Sequence, residues 1–392
     1  MTQAHFTRRA LLATAAAAGA AHALPRAARA QEPLRIWTIG VAKVGETPGT
    51  GGADWTDMAQ AAGVELAYNA KSGSADQAIQ KMIVGDGDRL YDALTDNGGG
   101  MEDALASQGA IVEIDPSRIE NWDRLLDLYA EGGMAEDTIR HEGRLVAVPY
   151  ISNADSLAFN NDEIGEELTS WEALFDSQFR GRAAMQNDFG PTFTNTAIYL
   201  KESGKQDIEN PSDMTEAEVK GVAEFLIDLK MKGHFRTFWD GFQNGVDLLA
   251  SEEVLVSSCW EPVQIVAMNK AEKDIRYGTM KEGHQTWNNI WMLTKGGSAR
   301  GQEDAFYKLM NLYLSPWFGA RTLLTFGFGP QMSGIEDEIA GSDAFTAEQK
   351  ATIESRIERK RARYAVSGNS WQNVFPTELR AYQDWWARVQ AA

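Results

Sequence analysis

The stretch Gln285–Leu293, QTWNNIWML, sets Trp287 and Trp291 on either side of Asn288 and Asn289. That spacing fits either a packed strand or the wall of a binding site. Indole faces stack on methylene chains and on cationic groups, and amides both donate and accept hydrogen bonds. Metal or nucleophilic chemistry finds little support elsewhere. Beyond the first thirty residues the histidines are His141, His234 and His284, far apart and without ligand-like spacing, and the single cysteine, Cys259, lies in an apolar run. Neither a zinc site nor a Cys/His nucleophile is expected, nor any cofactor. Gly98, Gly99 and Gly100 follow a strand-like segment, but no Gly-Lys-Ser/Thr and no well-placed G-x-G-x-x-G accompanies them. They suit close backbone approach to a bound solute or to the next helix.

Thr7-Arg8-Arg9-Ala10-Leu11-Leu12, an alanine-rich apolar run and Ala28-Arg29-Ala30 read as an export signal over residues 1–30. The paired arginines favour the twin-arginine route and therefore a periplasmic destination. Cleavage there removes Arg8, Arg9, Arg26 and Arg29 from the 37 basic residues, leaving 33 against 56 acidic ones and a net charge of −23. Such a surplus disfavours nucleic acid and anionic membranes as partners and attracts cations to a cleft, although it also serves solubility alone.

A mature chain of this length exceeds what one hydrophobic core organises, so two lobes are expected. Leu34–Gly40, Val64–Tyr68 and Leu90–Thr95 read as strands, with helical spacing at 53–62 and in the segment that follows Ser74, the order of an open parallel α/β sheet. Helical segments are expected at 101–108 and 122–129, then a hairpin-like turn and an apolar strand through Val148-Pro149-Tyr150. The pattern restarts after Ser170: helix 171–175, strand 182–186, helices 195–202 and 216–231, and the strand Val254–Trp260. A second lobe of the same class follows from that restart.

At Val148-Pro149-Tyr150, Ser170-Trp171-Glu172-Ala173-Leu174-Phe175 and Phe179-Arg180-Gly181-Arg182-Ala183-Ala184-Met185 the chain resembles the periplasmic solute-binding proteins of ABC importers, most closely the spermidine/putrescine type. Trp260, Trp287-Asn288-Asn289, Phe326-Gly327-Phe328-Gly329-Pro330 and Trp371-Gln372-Asn373 extend the match in the family's order. The resemblance implies the type II periplasmic-binding fold, two α/β lobes joined by a hinge with a ligand cleft between them. It places one lobe at 31–151 plus 289–334 and the other at 152–288 plus 335–392, with QTWNNIWML as a hinge strand. Trp287 and Asn289 should then face one way and Asn288 and Ile290 the other.

The same resemblance assigns Trp37, Thr38, Trp260, Trp287, Asn289, Phe328 and Gln372 to the cleft, with Asp188 as an acid after the Met185 strand. The family's hinge aspartate is Asn289 here, a loop glutamate falls at Pro191 and a tyrosine at Phe328. Losing two carboxylates would leave a dication poorly neutralised. Asp96, Asp188, Asp240 or Glu261 would have to substitute, so a monoamine, an amino-acid derivative or a zwitterion is expected in preference to spermidine. Each residue also has a plainer reading, as core for the tryptophans and as a helix cap for Asp188 and Glu261. Trp171 and Trp291 are expected in the core, and of Trp385 and Trp386 one docks the last helix while the other lies at the surface. The expectation is a monomeric, non-catalytic protein that delivers a small amine-containing or polyamine-like solute to an inner-membrane permease, with an organic acid or sugar as the alternative solute. An enzyme of the same fold, an iron binder and a sensory partner are the alternatives. None of the 10 tyrosines has a tyrosine neighbour, as iron binding usually requires.

Overall fold

Apolar alternation and glycine punctuation become two mixed sheets in the computed structural model, which describes residues 32–38, 59, 63–70 and 75–392. The export-signal expectation at 1–30 and nearly all of the helix expected at 53–62 lie outside the described residues. The strands are β1 (Leu34–Thr38), β2 (Leu66–Ala70), β3 (Ala93–Asn97), β4 (Arg140–His141), β5 (Arg144–Leu145), β6 (Val148–Ala154) and β7 (Ser156–Asn160). They continue as β8 (Ala183–Gln186), β9 (Phe235–Trp239), β10 (Val256–Cys259), β11 (Ile275–Tyr277), β12 (Gln285–Leu293) and β13 (Ser370–Trp371). The longer helices are α1 (Ala75–Ile83), α2 (Met101–Ser107), α3 (Phe189–Glu202), α4 (Glu216–Met231), α5 (Gly241–Ala250) and α6 (Glu261–Ala271). After them come α7 (Glu303–Tyr313), α8 (Pro316–Phe326), α9 (Ile335–Gly341), α10 (Ala347–Tyr364) and α11 (Leu379–Ala391).

Residues Leu34–Ala392 make up one compact unit. Its first sheet runs β13-β12-β3-β1-β2, with β6 on the other edge of β12. The second runs β11-β7-β10-β8-β9. Within the first, β1 pairs in parallel with β2 and β3, as the βαβ order requires, whereas β12 enters antiparallel to β3 and β6. The chain leaves the first sheet at Ala154 and joins the second at Ser156, with only Asp155 between. It returns through residues 278–284 into β12, and passes back once more after β13 toward α11.

Each sheet carries its own apolar core. Ile36, Leu94, Tyr150, Trp291 and Tyr313 fill the first, where the Tyr313 ring lies 5.1 Å from Tyr150 and 5.2 Å from Trp291. Trp171, Phe193, Val222 and Leu226 fill the second, into which α11 inserts Tyr382, Trp386 and Val389. Trp386 is buried there, while Trp385 is only partly covered and has Arg388 over its ring. A separate cluster joins α8, α9 and α10 through Leu323, Ile335, Ile339 and Ile353.

Local chemistry sets several helix starts. Thr215 with Glu218 and Thr346 with Gln349 form capping boxes at α4 and α10. Asp188 accepts a hydrogen bond from the Gly190 N–H and so starts α3 at Phe189, six residues before the expected start, with Pro191 tolerated in the first turn. The helix expected at 122–129 is instead two single 3₁₀ turns, Trp122–Arg124 and Asp127–Tyr129. The Leu126 N–H donates to the Gln331 carbonyl and the Arg124 carbonyl accepts from Ser333, so tertiary partners take the hydrogen bonds a helix would have used.

Candidate functional site

A cavity of about 500 Å³ opens where the carboxyl ends of β3, β8 and β10 meet the first half of β12. Strand ends of an α/β sheet are where ligands are expected. β12 supplies Gln285, Trp287 and Asn289. Alternate residues of a strand share a face, so this face meets the cavity while Asn288 on the opposite face donates to Thr138 Oγ1 at 2.7 Å. From the second sheet come Gln186 at the end of β8 and Asp188 just beyond it, Phe242 after β9, and Trp260 and Pro262 after β10. Asn97, Phe326, Phe328 and Gln372 complete the lining with Asp155 and Pro191.

Aromatic rings dominate the walls. Phe328 meets Trp287 edge to face at 5.4 Å and stacks on Phe326 at 5.2 Å, and Trp239 braces Trp260 edge to face at 5.4 Å. The polar groups are acceptor-rich. Asn289 donates to Asn97 Oδ1 at 2.6 Å, and the side-chain oxygens of Gln186 and Gln285 are buried without a hydrogen-bond partner. Among the described lining residues no lysine, arginine or histidine occurs, whereas two carboxylates do. Burial pushes the Asp155 carboxyl up to about 7, against the pull of the Trp287 indole and the Arg363 charge. Asp188 is solvent-accessible at the cavity wall, yet the protein packed around it raises its carboxyl above the usual range, partly offset by the Gly190 N–H.

Six of the ten expected site residues come together here: Asp188, Trp260, Trp287, Asn289, Phe328 and Gln372. Of the other four, Trp37, Asp96 and Glu261 do not line the cavity. Trp37 is buried in the first core, stacked on Tyr91 at 5.9 Å, and the Thr38 side chain lies outside the described residues. Asp96 is buried on β3 and faces away from its neighbour Asn97, which does reach the cavity. Glu261 pairs with Arg363 at 2.6 Å, both cut off from solvent. Asp240, considered as a substitute acid, accepts from Asn187 Nδ2 at 3.0 Å at the surface.

Sequence reasoning missed Asp155, Gln186, Gln285, Asn97, Phe242 and Phe326. Gln285 was legible as the residue two before Trp287 on one strand face. Asp155 carried a signal too, as a lone carboxylate inside a run in which every residue from Leu145 to Asn160 is buried. The three glycines approach protein and not the cavity. A Cβ on Gly99 would lie 2.1 Å from the Gln372 carbonyl and one on Gly98 would lie 2.3 Å from Asn288 Oδ1. Glu102 accepts from the Gly99 and Gly100 N–H groups, and burial raises its carboxyl to about 8.

Residues 100–333 match the family of bacterial extracellular solute-binding proteins. The chain belongs to that family. As a member it is a solute-binding protein. Among solved structures it is similar to a putative spermidine/putrescine ABC transporter from Listeria monocytogenes, at 14% identity and a TM-score of 0.67, over 91% of this chain and 98% of that one. The TpPotD lipoprotein of Treponema pallidum is similar at 16% identity and a TM-score of 0.67, over 91% and 99%. The periplasmic binding protein MotA from A. tumefaciens B6, solved with glucopine, is similar at 16% identity and a TM-score of 0.62, over 91% and 99%. These likenesses establish the two-sheet periplasmic-binding fold expected from the sequence; identities this low leave the solute open. No curated protein matches the chain. Among the described residues no helix is long and apolar enough to cross a membrane, and no cluster of His, Cys, Asp or Glu could hold a metal ion.

Proposed function

We propose that this solute-binding protein captures a small amine or zwitterion in the aromatic cavity and delivers it to the permease of an ABC importer. The observation that carries the reading is the composition of the lining. Two carboxylates and the faces of Trp260 and Trp287 stand in a cavity whose described lining holds no basic side chain. An ammonium group gains from both, with each cation–π contact contributing roughly 0.5–2 kcal/mol. Asn289 brings an amide to the position where the polyamine-type pattern has a charge. A long dication would therefore lack one counter-charge, which favours one cationic head and an uncharged or anionic remainder. The N-termini of α5 and α6 adjoin the second-sheet wall without a side-chain cap, a setting that tolerates a carboxylate at the far end of a zwitterion.

On this reading 31–151 with 289–334, and 152–288 with the C-terminal segment, are lobes that close on the solute. The separate sheets and cores support two lobes, with Ser152–Ala154 and Gln285–Asn288 belonging by their pairing to the first. Within 335–392 the packing favours placing α11 with the second lobe and α9 and α10 against α8. Residues 1–30 act as a twin-arginine export signal that delivers a monomer to the periplasm, and the protein performs no catalysis of its own.

A thermal-shift screen of amines, zwitterions, sugars and organic acids on the mature protein tests the solute class, because a ligand that binds the folded state raises its melting temperature. Stabilisation by amines or zwitterions is expected. Stabilisation by sugars or dicarboxylates alone would sink the reading.

A further inference from the structure

We infer that Asp155 is the specificity-determining carboxylate of the cavity and receives a single ammonium or guanidinium head group of the solute. The inference rests on the amine reading above and names the group that decides it.

Two of the three chain crossings converge on this residue. The Asp155 N–H donates to the Gln285 carbonyl at 2.8 Å. His284 Nδ1 donates to the Asp155 carbonyl at 2.8 Å, a tautomer set by Nε2, which accepts from the Met280 N–H at 3.2 Å. Trp287 Nε1 donates to Asp155 Oδ1 at 2.8 Å. Backbone and one carboxylate oxygen are thus immobilised beside a stacking face. Only Oδ1 accepts from the indole; Asp155, 2% exposed, lines the cavity with Oδ2 holding no hydrogen bond from a described residue.

The carboxylate has no cation of its own. Among the described residues no lysine, arginine or histidine forms an ion pair with it. Arg363 is the one arginine whose charge reaches it, and that guanidinium is already held by Glu261 at 2.6 Å. The other ionisable groups that act on or face it, Glu261, Tyr277, Cys259 and Tyr364, are acids, and His284 is held neutral by burial. Asp188 differs, because it caps α3 and the positive end of that helix compensates part of its charge. An isolated carboxyl in an apolar wall stays protonated near neutral pH and ionises when a cation arrives. Solute binding should therefore release a proton.

Calorimetric titration of the wild type, Asp155→Asn and Asp188→Asn with γ-aminobutyrate, agmatine, putrescine and spermidine, from pH 5.5 to 8.5, tests this. Glucose and succinate serve as controls. The wild type should bind at least one amine, with affinity rising about tenfold per pH unit below pH 7 and levelling above it. Asp155→Asn should weaken that probe about 30-fold or more, as expected when one partner of a desolvated charge pair is lost, and should flatten the pH profile. Asp188→Asn, which removes the other cavity carboxylate, should lower affinity while the rise below pH 7 persists. Amine binding by Asp155→Asn within about threefold of wild type, or with an unchanged pH profile, overturns the role of Asp155 and leaves the amine reading standing. Failure of every amine to bind the wild type overturns both. Should Asp155→Asn not fold, Asp155→Ser is read by the same criteria.

Discussion

Arg363 and Glu261 form an ion pair shut off from solvent, with Arg363 Nη2 2.6 Å from Glu261 Oε2. Asn153 bridges them, accepting from Arg363 at 3.1 Å and donating to the same carboxylate oxygen at 3.2 Å. The pair ties α10 to α6 and, through Asn153, to β6 of the first sheet. Removing one partner leaves the other charge buried and unpaired, which costs about 3–5 kcal/mol. Arg363→Ala and Glu261→Ala should each lower unfolding free energy by that order in urea titrations. The double variant should cost less than the two losses together, and additive losses would argue against the pairing.

His284 should make the fold acid-sensitive. Burial, reinforced by the Arg363 charge, lowers its imidazole to about 3, below its ordinary 6.5. The unfolded chain then binds a proton between those values that the folded chain does not, so stability rises with pH across that window. On acidification the loss begins near pH 6.5, proceeds at up to about 1.4 kcal/mol per pH unit and levels off near pH 3. Urea midpoints from pH 7 to 4 should fall less steeply in His284→Gln than in wild type.

Trp287 and Trp291, four residues apart on one strand, should separate in function. Trp291 is fully buried against Tyr150 and Tyr313, so Trp291→Ala is expected to cost about 3–5 kcal/mol of stability. Trp287 lines the cavity and holds Asp155. Trp287→Ala should leave a folded protein whose affinity for its amine is at least about tenfold weaker. Spermidine bound tightly and equally by wild type and Trp287→Ala would remove both the solute class and the wall.

Gly99 has φ +96° and a hypothetical Cβ only 2.1 Å from the Gln372 carbonyl. Its own carbonyl accepts from the Val374 N–H at 2.9 Å. Gly99→Ala should force this segment away, cost on the order of 1–3 kcal/mol and move Gln372 from the cavity. A melting curve and amine titration should therefore shift together, whereas unchanged affinity would detach Gln372 from the site.

Much of the architecture was legible because its signals are local. Alternation marked β1, apolar runs marked β6 and β10, the helix over 216–231 was expected at α4, and the ordered motifs from Val148 to Gln372 named the family. Strand parity placed Trp287 and Asn289 on one face and Asn288 on the other, as observed. The same rule, unanchored, could not choose between Asp96 and Asn97, since a one-residue difference reverses the face.

What only the tertiary structure decided is which acids are free to meet a solute. Glu261 and Asp155 are both carboxylates near the strand ends, and nothing in their neighbours separates them. Glu261 is neutralised by Arg363, 102 residues away, and Asp155 is held through one oxygen by Trp287, 132 residues away, at the cavity wall. Local sequence sets backbone conformation through short-range sterics and hydrogen bonds. The charge state of a buried group depends on partners that reach it only when the chain has folded.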